Sequence, residues 1–165
     1  MRLQEIGAAI RKARQANGLT QADLAAAAGL SRTTLNRLEN GLFPDLGVKK
    51  ADAILEQLGM QLAVRPATRT TQPDFIAMAC ASVSVSFRNT LTPDELVHAL
   101  LSGRPAPGKE AHFVALLEEA PPALLRGLIA QVGKWGKPGK VETNVRKIAR
   151  ALDVSLKSER WRKIV

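Results

Sequence analysis

The chain has 165 residues, 45% of them hydrophobic, and this length suits one domain or two small ones, each with its own core. The formal net charge of +9 suits a polyanionic partner. A single cysteine, Cys80, excludes an internal disulfide, and no apolar run approaches the roughly 20 residues that a membrane helix needs. Met1-Arg2 leads into an amphipathic pattern rather than a signal peptide, so we expect a cytoplasmic protein.

The first predicted helix spans Leu3 to Gln15. Its apolar residues recur at helical spacing on one face, while Arg11, Lys12 and Arg14 lie on the other.

Two short helices joined by a tight turn are predicted next. Thr20 and Asp23 can form a capping box, so a helix begins there and runs to about Ala28. Gly29 suits the turn, and Ser31 suits the N-cap of the following helix. The apolar positions of both helices face one core: Leu24, Leu30, Leu35 and Leu38. This pattern predicts a helix-turn-helix.

Three segments in one register carry a family resemblance: Thr20-Gln21-x-x-Leu24-Ala25, then Gly29-Leu30-Ser31, then Leu38-Glu39-Asn40-Gly41. Together they resemble the phage-repressor/Cro (Xre) helix-turn-helix family, and the resemblance spans Leu3 to Arg65. It implies a four-helix, lambda-repressor-like domain that binds double-stranded DNA at an inverted-repeat operator. It also implies that Arg14 pairs with Glu39; the alternative is a solvated arginine.

The resemblance further implies which side chains meet DNA. Arg32, Thr33 and Arg37 would contact base edges, and Ser31 would cap their helix. Phosphate contacts would come from Thr20, Gln21 and Asn40, with Thr34 and Asn36 as further candidates. In the alternative, Arg32 and Arg37 contact only phosphate.

A fourth helix is predicted from Leu46 to Leu58, opened by Asp45 after Pro44 and closed by Gly59. Its inward positions would be Leu46, Val48, Ala51, Ile54, Leu55 and Leu58.

The residues from Met60 to Arg65 alternate between apolar and polar, which predicts a short strand with Met60, Leu62 and Val64 on one face. One strand cannot satisfy its own backbone. The segment resembles the HipB-like antitoxin branch, which implies that the strand pairs across the two-fold axis of a homodimer. The alternative is a tail strand packed on its own domain.

The DNA-binding domain would thus occupy residues 1–66, followed by a linker at 67–73 and a helical domain at 74–165. Phe75 to Phe87 shows helical spacing, although Val83 to Phe87 could equally form a strand. Thr92-Pro93-Asp94-Glu95 forms a capping box for a helix that runs to about Ser102 and stops at Gly103. Further helices are predicted from Lys109 to Glu119, after Pro121-Pro122, and along an apolar stripe from Val141 to Leu152. The predicted fold class is mainly α.

Positive charge is concentrated near the end of the chain. Residues 126–165 hold eleven Lys and Arg against three Asp and Glu, a net +8. This excess suits DNA backbone or an acidic protein partner. The loop from Lys134 to Lys140 either grips phosphate or is simply solvated. The segment from Ile148 to Ser155 weakly repeats the residue spacing of Leu24 to Ser31 in the helix-turn-helix. Glu159 then occupies the position that corresponds to the apolar Leu35, which disfavours a second helix-turn-helix.

No set of residues indicates catalysis or metal binding. His98 and His112 lack further ligands, and at most one carboxylate of Glu118-Glu119 would face a site. We therefore expect no enzyme, no cofactor and no metal. The sequence predicts a nucleoid-associated, DNA-binding transcriptional regulator, a dimeric repressor and antitoxin-like autoregulator whose residues 74–165 bind a toxin or another protein. The alternative is a protein-interaction or toxin-neutralising module in the C-terminal domain, with DNA binding secondary.

Overall fold

A computed structural model describes residues 3–43, 45–64, 73–85 and 87–156, together with Trp161 and Ile164. The chain forms two compact units, Met1–Thr70 and Thr71–Val165. Every regular element among the described residues is a helix, which confirms the mainly α prediction. None of these helices is long and apolar enough to cross a membrane. Except for Pro73, the predicted linker lies outside the described residues.

The first unit contains four helices: α1 Leu3–Ala16, α2 Gln21–Ala27, α3 Arg32–Glu39 and α4 Val48–Glu56. Their inward faces meet in one apolar core because the large residues recur at helical spacing. The buried members are Ile10, Leu24, Ala25, Leu35, Leu38, Ile54, Leu55 and Leu58.

The helices α1 and α3 approach each other closely at Gly7. A Cβ atom at this position would lie 2.1 Å from the backbone oxygen of Leu38. Only a hydrogen atom fits there, so Gly7 lets α3 lie directly on α1.

The predicted start of α4 is wrong. The helix begins at Val48 with Gly47 as its N-cap, and no side chain caps it. Val48, predicted to face inward, is 69% exposed. Leu46 instead packs against the core from the preceding loop, so its apolar side chain is used without being helical. Pro44 lies outside the described residues.

The predicted strand is also absent from the described chain. Residues 60–64 have no regular structure, and Arg65 is not described. Leu62 packs partly against the core, whereas Val64 is 99% exposed. A strand needs a hydrogen-bonded neighbour, and no described segment of the single chain provides one.

The second unit contains five helices: α5 Phe75–Ser84, α6 Pro93–Ser102, α7 Glu110–Glu119, α8 Pro122–Gly133 and α9 Lys140–Ala151. α5 packs against α6, α7 and α8, and α9 packs against the same three helices. The predicted capping box at the start of α6 is formed by Thr92 and Glu95, and Gly103 ends the helix in a left-handed conformation.

The alternative of a strand over 83–87 is wrong for the residues described there. Val83 and Ser84 are the last two residues of α5 and are therefore helical. Phe87 lies beyond the helix, and its ring centroid is 4.2 Å from that of His112. His112 is buried and hydrogen-bonds the Asn89 carbonyl through Nε2, whereas His98 is exposed.

A buried asparagine fixes α9 against α6. Asn144 donates from Nδ2 to the carbonyl oxygens of Leu100 and Leu101, at 2.8 and 2.7 Å. Carbonyl groups in the last turn of a helix have no intrahelical partner, and Asn144 satisfies two of them. The rotation of α9 about its own axis is therefore set by a polar contact as well as by its apolar face.

Candidate nucleic-acid interface

Local side-chain bonds define both ends of the turn between α2 and α3. The Thr20 hydroxyl accepts a hydrogen bond from Asp23 N at 3.1 Å, and the Asp23 carboxylate accepts one from Thr20 N at 3.0 Å. Hydrogen bonds from the side chain and then the backbone of Thr20 lower the pKa of Asp23. Ser31 Oγ accepts from Thr34 N at 3.1 Å and so caps α3. Gly29 has a φ of +66°, which an L side chain rarely adopts, so the turn residue matches its backbone.

A buried ion pair holds α3 against α1. Arg14 donates from Nε to Glu39 Oε1 at 2.6 Å and from NH2 to Oε2 at 2.9 Å, a two-pronged arrangement. The side chain of Glu39 is 1% exposed and that of Arg14 is 11% exposed. The hydrogen bond to Glu39 raises the pKa of Arg14, so the guanidinium stays charged.

The same carboxylate connects the pair to α2 through Gln21. Gln21 donates from Nε2 to Glu39 Oε2 at 2.8 Å, and its Oε1 accepts from Asn36 Nδ2 at 3.2 Å. Asn40 then donates to the carbonyl oxygen of Asn36 at 2.7 Å. These contacts form one polar chain from α1 through Glu39 and Gln21 to the outer surface of α3.

The outer surface of α3 is polar and accessible. Arg32, Thr33, Asn36 and Arg37 are all exposed, whereas the opposite side of the helix is buried. Within the described part of the chain, the side chains of Arg32 and Thr33 make no hydrogen bond. The Arg37 guanidinium lies 5.9 Å from the centroid of the Phe43 ring, within cation–π range.

Residues 10–64 match the family model described as helix-turn-helix. The match covers the segment from α1 through α4, a third of the chain. It supports the Xre-type resemblance over this segment and does not identify the HipB-like branch. No curated protein and no solved structure matches the chain significantly.

Several polar residues of this helix-turn-helix already use their side chains within the protein. Thr20 is exposed and its hydroxyl also donates to Asp23 Oδ2 at 2.6 Å. The Thr34 and Ser31 hydroxyl oxygens lie 2.8 Å apart. Asn40, the C-cap of α3, is partly exposed and bonded to Asn36. Arg32, Thr33 and Arg37 are thus the residues of the helix-turn-helix whose side chains have most hydrogen-bond donors left for a ligand.

Sequence reasoning missed three contributors to this interface. It did not identify Gln21 as the bridge between Glu39 and Asn36, nor the contact of Phe43 with Arg37. It also missed Arg11, which donates from NH1 to the carbonyl oxygen of Glu39 at 3.3 Å. Arg11 lies three residues before Arg14, on the same face of α1, so helical spacing could have revealed it.

No group of three or more His, Cys, Asp or Glu side chains in the described residues could hold a metal ion.

Proposed function

We propose that the protein is a sequence-specific, DNA-binding transcriptional regulator that acts as a dimeric repressor. The observation that carries this proposal is the outer face of α3. It presents Arg32, Thr33 and Arg37 to solvent while a buried ion pair, Arg14–Glu39, fixes the helix from behind. A recognition surface needs this combination, because side chains on a rigid helix keep their register against a base sequence.

In the proposed complex, α3 lies in the major groove. An arginine guanidinium matches guanine O6 and N7, and the methyl group of Thr33 can contact the thymine methyl. Thr20, Gln21 and Asn40 contact phosphate oxygens, which fixes the register of α3 in the groove without reading sequence. Thr20 must exchange its hydroxyl bond to Asp23 for this contact, whereas the amide groups of Gln21 and Asn40 each carry a second N–H. The operator is then an inverted repeat with G-containing half-sites about one helical turn apart.

Dimerisation and an antitoxin-like role are parts of the same proposal. Residues Met60 to Val64 project at the surface of the first unit, with Met60 36% and Val64 99% exposed. A second copy could cover both apolar side chains by antiparallel pairing of this segment. The protein would act by binding rather than by catalysis, repressing its own promoter by occupying it.

One observation favours an additional protein partner for the second unit. The outward side of α5 carries Ala77, Met78 and Ala81, followed by Val85 after the helix, and all four are exposed. Met78 is 50% and Val85 85% exposed, so this uncharged surface suits a partner such as a toxin.

The readout is tested by selecting binding sites from a randomised duplex library with wild type, Arg32→Ala and Arg37→Ala. Loss of a base contact should cost about 1–3 kcal/mol on the selected site and flatten the preference at one base pair. Loss of a phosphate contact should weaken all sequences alike and lower the salt slope by about one. Lys49→Ala, which removes an exposed charge from α4 in the same unit, is the control and should leave base preference unchanged. If both arginine variants select the wild-type sequence, the proposed readout is wrong.

A further inference from the structure

A cluster of cations occupies the loop before α9 and the outward side of α9 itself. Between residues 134 and 150, six Lys and Arg accompany a single carboxylate, that of Glu142. All six are exposed, and none forms an ion pair with another described residue: Lys134, Lys137, Lys140, Arg146, Lys147 and Arg150. We call these six residues the α9 cation surface.

The packing of α9 keeps this surface turned to solvent. Val141, Val145 and Ile148 are buried against the neighbouring helices, and Asn144 is bonded to the end of α6. Residues three and four apart share a helical face, so Thr143, Arg146, Lys147 and Arg150 lie together on the opposite side. A helix of 12 residues is about 18 Å long, which is enough to follow several phosphates of one DNA strand.

The chemistry of the surface distinguishes nucleic acid from protein as its ligand. The stable centre of a protein interface is apolar and depleted in lysine. Apart from the cations, the exposed positions of α9 are only Thr143 and Ala151, so no large apolar side chain is present to form such a centre. A phosphate backbone requires only positive charge and hydrogen-bond donors, which this surface provides.

We infer that the α9 cation surface binds the phosphate backbone of duplex DNA, independently of base sequence. The inference rests on the proposed function, because that function makes DNA the polyanion that the chain meets. It adds a second contact region in the second unit, whose task is affinity rather than base readout. The α3 face selects the site, and the α9 cation surface increases the number of phosphates neutralised.

The test compares two full-length triple variants with wild type. R146Q/K147Q/R150Q removes three charges from α9, and R88Q/R104Q/R126Q removes three exposed charges from the same unit outside α9. Binding to a labelled random-sequence duplex of about 40 base pairs is followed by fluorescence anisotropy from about 50 to about 200 mM salt. Each phosphate contact contributes about 0.9 to the slope of log K against log salt, so the α9 variant should show a slope shallower by about two to three. The control variant should keep the wild-type slope.

Circular dichroism and tryptophan fluorescence check that both variants keep the fold, which glutamine should preserve because it is a good helix former. An unchanged slope for the α9 variant overturns the inference, as does an equal decrease in the control, which would indicate net charge alone. If the α9 variant binds DNA like wild type, DNA is not the ligand of this surface, and an acidic protein becomes the ligand to test.

Base preference is measured in parallel on the selected site. If wild type has base preference and the α9 variant leaves the slope unchanged, only this inference fails. If wild type has no base preference but its binding depends on α9, only the proposed function fails. If wild type binds no duplex at all, both are wrong.

Discussion

The Glu39 carboxylate accepts hydrogen bonds from two elements at once, Arg14 of α1 and Gln21 of α2. It does so while 1% exposed, so the desolvation of the carboxylate must be offset by these partners. Net stability need not rise from such a pair. Its consequence is positional, because α3 can occupy only the orientation in which all these bonds form.

Replacing Glu39 by alanine should leave the Arg14 guanidinium largely buried without its carboxylate. We expect a loss of about 3 kcal/mol in the free energy of unfolding, measured by urea denaturation with far-UV circular dichroism. The double variant Arg14→Ala/Glu39→Ala should lose less than the sum of the two single variants, because it removes both charges together. Strict additivity of the two single losses would show that the two side chains are energetically independent.

At the scale of elements, α1 and α3 lie in close contact where Gly7 meets the Leu38 carbonyl. Gly7→Ala must push α1 and α3 apart, since the added Cβ would lie 2.1 Å from a backbone oxygen. We expect destabilisation of about 1–3 kcal/mol despite the higher helix propensity of alanine. Gly133→Ala, at a helical position in α8, is the matched control, because a Cβ there meets nothing within 4 Å. Equal stability losses in the two variants would contradict the steric explanation.

The capping box of α6 gives a prediction about pH. The backbone hydrogen bond from Thr92 is the main cause that lowers the pKa of Glu95. A carboxyl group whose folded pKa is lower than its unfolded pKa, about 4.3, stabilises the fold above that value. This contribution is lost as the pH falls through the folded pKa.

Glu95→Gln should therefore cost about 0.3–1 kcal/mol at neutral pH, the range for a charge at a helix N-terminus. The difference from wild type should shrink as the pH falls below about 4.3 and disappear once the pH is below the folded pKa of Glu95. Urea unfolding followed by tryptophan fluorescence reports on this unit, since both tryptophans, Trp135 and Trp161, lie within it. Glu119→Gln is the control. Glu119 lies at the C-terminal end of α7 rather than at a helix N-terminus, so its replacement should show no such loss at neutral pH. A Glu95→Gln deficit that persists at low pH would assign the effect to shape rather than charge.

These elements also show what the sequence could and could not predict. Both capping boxes, at Thr20 and Thr92, were readable because the bonds join residues three apart. The start of α4 was not, because Leu46 packs on the core without being helical and Gly47 provides no capping side chain. The bridge from Gln21 to Asn36 joins residues 15 apart, and helical periodicity contains no information about such contacts.

At the scale of the whole molecule, positive charge is distributed unequally along the sequence. Residues 1–66 have nine Lys and Arg against six Asp and Glu, a net +3, whereas residues 126–165 have a net +8. The helix-turn-helix segment is therefore less basic than the last forty residues of the chain. In the proposed function, base readout by α3 and attraction of phosphate are separate tasks, and most of the positive charge of the chain lies outside α3.

The proposed dimer is the remaining whole-molecule prediction, and it depends on the segment from Met60 to Val64. Val64 is 99% exposed in the single chain, so Val64→Glu should leave the unit folded. In an antiparallel pair about a two-fold axis near Leu62, residue 64 of one copy lies beside Met60 of the other, where a carboxylate would be desolvated. We expect a lower dimer fraction in sedimentation velocity over a concentration series.

Gln61→Glu is the control for this experiment, because it adds the same charge to the same segment on the alternate face of an extended chain. It should sediment like wild type. If Val64→Glu is as dimeric as wild type, the two copies meet through another surface, of which the uncharged side of α5 is the first to test. A wild type that remains monomeric throughout the series would contradict the dimer itself, and two half-sites would then have to be occupied by independent monomers.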